Sequence, residues 1–387
     1  MQSVSRWLAR GLRGAGFEVN VFDLAASRAD AHSRRLISPT SWRRRTLLAT
    51  DPSDVQITHV GANAVEFEPF RYLPRAEFSA ELNRYDLVQV VAGGPALALA
   101  AIRSGRPIVL QVATTVALER ASQLAATGAT LALWRGWMTK AVSVMERAAL
   151  KKADVVLVEN KEMLEFARSV GQTRVVLAPP GVDTTRFTPP TEGWDSAGYL
   201  LSVCRLNDAR KGLDRLIRSY ALLTTRRPSV PSLVLAGGGE LPTHLTRLIA
   251  ELGMAECVSV RSDVPDAQLP SLYRGASVYL QTSHEEGLGM SVIEAMASGI
   301  PVVSTETAGT RETVADGKTG WLVNQRADVE SAVAERALSV LDFDGPAMSM
   351  AARSRADSII SDQATLSRFI EIYDQLIGTD GVRGRYR

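Results

Sequence analysis

Residues 284–303 read HEEGLGMSVIEAMASGIPVV, and their reading decides the fold. Two carboxylates, Glu286 and Glu294, stand with seven residues between them. Glu286 precedes a Gly-Leu-Gly turn, Gly287 to Gly289, followed by Met290. Glu294 falls two turns into a short helix that Gly299 ends. An apolar run, Ala276 to Gln281, comes before the block, and a second, Pro301 to Ser304, follows it. Strand, loop, helix, strand is a βαβ unit, with its loop at the carboxyl edge of a parallel sheet, where open α/β folds bind ligands. The free N–H groups and positive dipole end of the helix suit a phosphate. Glu294 suits sugar hydroxyls, and Glu286, on the loop, reaches further out to another polyol. Two solvated helix carboxylates are the alternative for the bare spacing.

Outward from this block the alternation continues. Towards the amino end come strands at Tyr199–Val203, Ser232–Ala236 and Cys257–Val260. Helices between them are expected at Leu213–Thr224, Leu241–Leu252 and Leu269–Arg274. The Pro-rich stretch Ala178 to Pro190 breaks the pattern and marks a domain boundary. Before it, a helix at Val4–Leu12 precedes strands at Phe17–Phe22, Val55–Val60, Leu87–Ala92, Pro107–Val112, Val155–Glu159 and Val175–Leu177. A long helical region covers Leu118 to Lys152. Residues 26–54 read as basic and irregular. Strands alternating with helices predict parallel, doubly wound sheets. The expected organisation is an N-terminal domain over 1–180, a second over 191–362 and a terminal helical segment over 363–387.

Composition narrows the function classes. The 387 residues are 45% hydrophobic and 22% charged, ordinary for folded domains, and too many for a single core. Forty-four basic and 42 acidic residues leave a net charge of +2, which argues against a nucleic-acid binder. Cys204 and Cys257 form no metal or redox spacing, so a reduced, cytoplasmic setting and no metal site are expected. No signal peptide is visible behind Met1, and the charge-free run Leu87 to Ile102 is too short and broken to span a bilayer.

Other residues suit the same chemistry. Arg205 and Lys211 lie on the loop between the Tyr199–Val203 strand and the next helix. Fixed cations there stabilise charge developing on a leaving phosphate. Surface charges at a helix start are the alternative, but positive charge is unfavourable to a helix at that end. Gly237 to Gly239 allow close backbone approach, with Glu240 at the following helix start, although a tight βα turn explains them equally. His284 is an acid, a base or a hydrogen-bond partner. Trp42 among arginines, and Trp134 to Lys140, mix aromatic and basic residues in a way that suits an anionic membrane surface or a solvated face.

The twenty-residue block, with its Gly-rich turn and Gly-x-Pro-Val-Val exit, resembles the signature of the retaining glycosyltransferases of family 4, the group 1 transferases. The resemblance covers nearly the whole chain and is strongest from Val175 to Val323. It implies the GT-B architecture: two doubly wound Rossmann-like domains facing across a cleft, with the final helix crossing back to the first. It implies a nucleotide diphosphate sugar as donor, without cofactor or metal, and a carbohydrate or lipid-linked acceptor. Glu286 and the amides of Gly287, Leu288, Gly289 and Met290 would hold the sugar, Glu294 the ribose, and Arg205 and Lys211 the diphosphate. Five residues separate those two cations, so Arg210 competes with Lys211 for the second position, and Gly212 favours Lys211. Val260 to Asp263 match the part that reads the base through backbone groups. Ala308 to Glu312 resemble a Gly-Gly-x-x-Glu element, with Glu312 favouring the N-terminus of its helix. No histidine stands at Leu110 to Thr115, where many relatives carry one, and Arg120 would meet an anionic acceptor. The family's first strand and Gly-rich loop are missing before the helix at Ser3–Ala9. Upstream DNA is expected to encode both in frame. Expected roles are surface polysaccharide or glycolipid synthesis, in the cytoplasm or peripherally at the inner membrane face. A non-catalytic sugar-nucleotide-binding partner and a nucleotide-sugar epimerase are the alternatives. A Rossmann dehydrogenase is disfavoured, because no G-x-G-x-x-G follows a first strand.

Overall fold

The computed structural model describes residues 2–25, 32–43, 57–124, 129–326 and 328–378. The chain divides into two compact units, Met1–Pro180 with Thr365–Arg387, and Gly181–Ala364.

In the first unit, helix α1 (Gln2–Gly14) leads to strand β1 (Val21–Ala25), β2 (Ile57–Gly61) and the short helices α2 (Glu68–Arg71) and α3 (Ala76–Leu82). Strand β3 (Val88–Ala92), a 3-10 segment Pro95–Ala101, β4 (Ile108–Val112), helices α4 (Val116–Leu124) and α5 (Ala129–Lys152), β5 (Val155–Val158), α6 (Lys161–Ser169) and β6 (Val175–Leu177) follow. The strands form two parallel sheets, β1-β2 and β3-β4-β5-β6. Every residue of β4 and β5 is buried, as in a sheet covered on both faces. Asn160 accepts from the Met163 N–H and so starts α6 at 2.9 Å.

The second unit contains β7 (Tyr199–Val203), α7 (Leu213–Arg226), β8 (Leu233–Gly237), α8 (Thr243–Glu251), β9 (Val258–Ser262), α9 (Leu269–Arg274) and β10 (Ala276–Gln281). Then come α10 (Met290–Ala297), β11 (Val302–Thr305), α11 (Ala308–Thr313), β12 (Gly320–Val323), α12 (Val329–Ser339), α13 (Gly345–Ile359) and α14 (Asp362–Ile377). The all-parallel sheet has the order β12-β11-β10-β7-β8-β9. The winding direction reverses between β7 and β10, so the loops after these two strands lie side by side at the carboxyl edge. Beyond residue 364, α14 belongs to the first unit, where Phe369, Ile372 and Tyr373 pack with Leu8, Leu12, Val109 and Leu157.

Both units are doubly wound α/β structures, the expected fold class. Boundaries moved where local polar contacts competed with pairing. β1 starts at Val21 rather than Phe17, because the Arg13 guanidinium takes the Val19 carbonyl at 2.7 Å before pairing begins. The region Leu118–Lys152 holds α4 and α5, with residues 125–128 outside the described set. Of residues 26–54, only 32–43 are described, with a 3-10 turn at Pro39–Arg43. Helix α6 and strand β12 were not anticipated; β12 is only four residues long, whereas α6 has an apolar face, with Met163 and Ala167 buried one turn apart, that the sequence reading passed over.

Candidate functional site

The loop after β7 is shaped by local capping. The Asp208 side chain accepts the Arg210 N–H at 3.1 Å and starts a 3-10 turn, Ala209–Lys211. Gly212 then adopts the left-handed region at φ 59°, and a Cβ there would lie 2.3 Å from the Thr282 carbonyl oxygen. Only glycine allows the loops after β7 and β10 to touch so closely. The Thr282 hydroxyl donates to the Gly212 carbonyl at 2.8 Å, and the His284 N–H to the Arg210 carbonyl at 2.8 Å.

This clamp brings Lys211 and Glu286 together, Nζ to Oε2 at 2.5 Å, with the side chains 16% and 18% exposed. Burial alone would lower the Lys211 pKa; the charge and hydrogen bond of Glu286 outweigh it, and the net shift is upward. Lys211 is therefore a fixed cation. Arg205 sits in the open, 63% exposed, with Nη2 at 2.7 Å from Asp208. Arg210 is 13% exposed and bridges Asp208 at 2.8 Å and Glu285 at 3.4 Å. Burial works to raise the Asp208 pKa, but the hydrogen bonds and charge of Arg210 hold it below the usual range. Arg210 thus acts as scaffold under the loop, while Lys211 is the cation paired with the signature carboxylate.

Gly289, at φ 84°, turns the chain into α10, and no side chain caps that helix. Across the loop, Gly309 approaches so closely that a Cβ would sit 2.5 Å from the Leu288 Cα, and its N–H donates to the Glu286 carbonyl at 2.9 Å. The turn Glu286–Gly289 is therefore held from outside as well as by its own glycines. Glu312 does not favour a helix N-terminus as expected. It lies near the carboxyl end of α11, whose start is capped reciprocally by Thr307 and Thr310.

Glu294 is the fifth residue of α10, one turn in rather than two. Its Oε2 accepts the Tyr273 hydroxyl at 2.8 Å. Tyr273 packs edge-on to Phe187 at 5.6 Å between centroids, and Arg186 stacks on Phe187 and pairs with Asp266 at 3.0 Å. Burial pushes the Glu294 carboxyl from 4.5 up to about 7, against the Tyr273 hydrogen bond and the Arg186 charge. The folded chain then holds this proton more tightly than the unfolded one. Its contribution to stability is full below pH 4.5 and lost as pH rises through about 7. We expect Glu294→Gln to flatten the fall in unfolding free energy over that window, measured by urea titration at several pH values. An unchanged slope would remove Glu294 as its source.

The remaining expectations divide. His284 is a hydrogen-bond partner: its Nδ1 lies 2.7 Å from the Arg215 guanidinium, and burial with that charge lowers its pKa. Glu240 precedes α8 by more than a cap position, since Pro242 is the N-cap. Asp263, at φ 49°, accepts the Gly239 N–H at 2.9 Å and ties the Gly-rich loop to the end of β9. Arg120 is paired with Glu68 at 2.5 Å. Burial pushes the Cys204 thiol up to about 12, so it is an inert neighbour of Lys211 and Glu286. Sequence reasoning missed Tyr273, Asp208 and Arg186. Asp208 had a signal, an acidic N-cap before Ala-Arg-Lys; the other two had none, because their partners are distant in sequence.

Comparison with known proteins bears on this arrangement. Residues 189–356 match the family described as Glycosyl transferases group 1, and residues 1–186 match Glycosyltransferase Family 4. A D-inositol 3-phosphate glycosyltransferase of Salinispora arenicola is 30% identical over 336 residues, spanning 79% of this chain and 72% of that one. The chain belongs to the family 4, group 1 glycosyltransferases. A GDP-mannose-dependent alpha-(1-6)-phosphatidylinositol monomannoside mannosyltransferase of Mycolicibacterium smegmatis is 35% identical over 211 residues. That match spans 49% of this chain and about half, 54%, of the relative. Among solved structures, sucrose-phosphate synthase from Thermosynechococcus elongatus superposes with a TM-score of 0.70 at 19% identity, over 96% of this chain and 92% of that one. A glycosyltransferase from Rickettsia africae gives 0.65 at 17% identity, over 97% and 95%. Anabaena Alr3699/HepE, solved with UDP and glucose, gives 0.62 at 18% identity, over 78% and 81%. These three share the fold, the GT-B type expected from the sequence.

Proposed function

We propose that this chain is a retaining, metal-independent glycosyltransferase that moves a sugar from a nucleotide diphosphate donor to a hydroxyl acceptor. The observation that carries the reading is the Lys211–Glu286 pair at the sheet's reversal point, beside the uncapped start of α10. A diphosphate entering this site competes with Glu286 for Lys211 and with Asp208 for the exposed Arg205. Glu286, released from the lysine, turns to the sugar hydroxyls together with the amides of Gly287 to Met290. Glu294, held by Tyr273, takes the ribose. As the glycosidic bond breaks, charge grows on the leaving phosphate, where Lys211 and Arg205 are worth most. The acceptor hydroxyl attacks on the face the phosphate leaves, and that phosphate takes its proton.

The named activities of the relatives make inositol-bearing phosphates or lipids the first acceptors to test, and GDP-mannose the first donor, ahead of polysaccharide acceptors. Among the described residues no helix is long and apolar enough to cross a membrane. Peripheral contact has support in the first unit: Trp134 and Trp137 stack at 5.7 Å while 54% and 55% exposed, with Phe67 against Trp137. Arg135 and Lys140 flank them, a mixture suited to the anionic inner face of a membrane.

Calorimetry against a panel of nucleotide sugars, followed by assignment of the product's anomeric configuration, tests the reading. Glu294→Ala should weaken nucleoside diphosphate binding by about 1–3 kcal/mol, some 5–150-fold. Glu286→Ala should spare that ligand and depress turnover of the intact donor. Equal losses for both ligands in both variants would overturn the division of roles. Binding without transfer to any acceptor would favour a non-catalytic sugar-nucleotide binder instead.

A further inference from the structure

Three elements of the second unit converge on one imidazole at the start of the Glu286 loop. Arg215, the third residue of α7, places its Nη2 at 2.7 Å from His284 Nδ1. A guanidinium has donors only, so Nδ1 accepts and the ring proton of His284 sits on Nε2. The other branch of the guanidinium, Nη1, donates to Gln325 Oε1 at 2.8 Å. Gln325, just beyond β12, turns its amide back on the same loop. Its Nε2 donates to the Ser283 carbonyl at 2.9 Å and to the His284 carbonyl at 3.4 Å. The His284 N–H is already given to the Arg210 carbonyl at 2.8 Å. His284 is therefore held from α7, from the turn after β7 and from the end of β12.

The charges around the ring oppose a second proton. Arg215 faces Nδ1 directly, and Asp214 beside it on α7 pulls the other way. Arg210 and Lys211, in the turn before α7, are already balanced by Asp208, Glu285 and Glu286. Arg326 follows Gln325 and adds a further positive charge. Burial first, and Arg215 second, lower the His284 pKa against Asp214.

We propose that Arg215, backed by Gln325, is a positioning residue that locks His284 as a neutral ring with its proton on Nε2. The consequence rests on the nucleotide-sugar reading of this site. A histidine able to ionise two residues from Glu286 would set a positive charge beside the carboxylate that must leave Lys211 for the sugar. A neutral ring leaves that exchange to the diphosphate alone and keeps the loop's charge constant as pH falls.

Nitrogen-15 NMR of His284 and the pH profile of transfer test this, over about pH 5 to 8, where histidines titrate. The chain has four histidines, and a His284→Gln variant assigns the signal. In the parent, Nδ1 should keep the shift of an unprotonated nitrogen and Nε2 that of a protonated one, down to about pH 5.5. In Arg215→Met the ring should titrate near pH 6.5, its ordinary value, with the proton affinity raised about tenfold or more. The transfer rate of that variant should gain an acidic limb at the same pH, and Arg215→Met combined with His284→Gln should lose it again. Gln325→Leu, which keeps the arginine, should shift the titration part of the way and stands should Arg215→Met fail to fold. A parent ring with its proton on Nδ1 would overturn the proposal. So would a His284 titration that neither Arg215→Met nor Gln325→Leu moves, which would make the brace merely structural. A chain that transfers no sugar would sink the reading of the site instead, and the NMR titration would still decide the lock.

Discussion

Lys211→Ala is expected to lower the transfer rate at saturating donor by about a hundredfold or more, the scale seen when one preorganised stabiliser of developing charge is removed. It should also destabilise the second unit. Lys211 and Glu286 are mostly buried and 2.5 Å apart, and deleting one partner strands the other charge in the interior, at about 3–5 kcal/mol when that charge has no other relief. The two effects separate in one further variant. Lys211→Met combined with Glu286→Gln removes both charges, keeps the volume and should recover most of the stability while leaving the rate low. If the double variant recovers the rate, the lysine is structural and the assignment to the diphosphate fails. Arg210→Ala belongs beside it as a control of a different kind. That arginine is tied to Asp208 and Glu285, so its loss should loosen the loop and cost stability rather than prove silent.

Gly237→Ala is expected to be the most damaging added methyl among the described glycines, at more than about 4 kcal/mol, enough to prevent the second unit from folding. Gly237 ends β8 at φ 138°, and a Cβ there would fall 1.8 Å from the Cys204 carbonyl oxygen, a backbone atom with no room to retreat. The adjacent Gly238 meets nothing within 4 Å, so Gly238→Ala should stay within about 1 kcal/mol of the parent. Unfolding midpoints of the two variants by circular dichroism check the contrast. Similar midpoints would mean that the loop after β7 yields more readily than its packing implies.

The fold class was legible because parallel strands buried on both faces write themselves as short apolar runs, and the turns between them as glycine and proline. β6, β7, α9 and β10 fall on the residues read from that pattern. The pairing of Glu286 and Glu294 with a Gly-rich turn likewise needed only local sequence, since helix start and loop are built from neighbouring residues. Asp208 was within reach of the same reasoning, as an acidic cap.

Other features depended on contacts that no local pattern records. That Lys211 rather than Arg210 meets Glu286 is decided by Gly212 pressing on Thr282, seventy positions away in the chain. The raised pKa of Glu294 comes from burial beside Tyr273, which sits on a different helix. That β1 and β3 lie in separate sheets among the described residues is visible only once strand order is known, because an apolar strand reads the same whether its edge is paired or open. By itself the sequence determined which segments become strands and helices and which side chains carry charge near a carboxyl edge. Which charges meet, which are buried and which edge stays open were decided by tertiary packing, since those depend on distances between residues far apart in the chain.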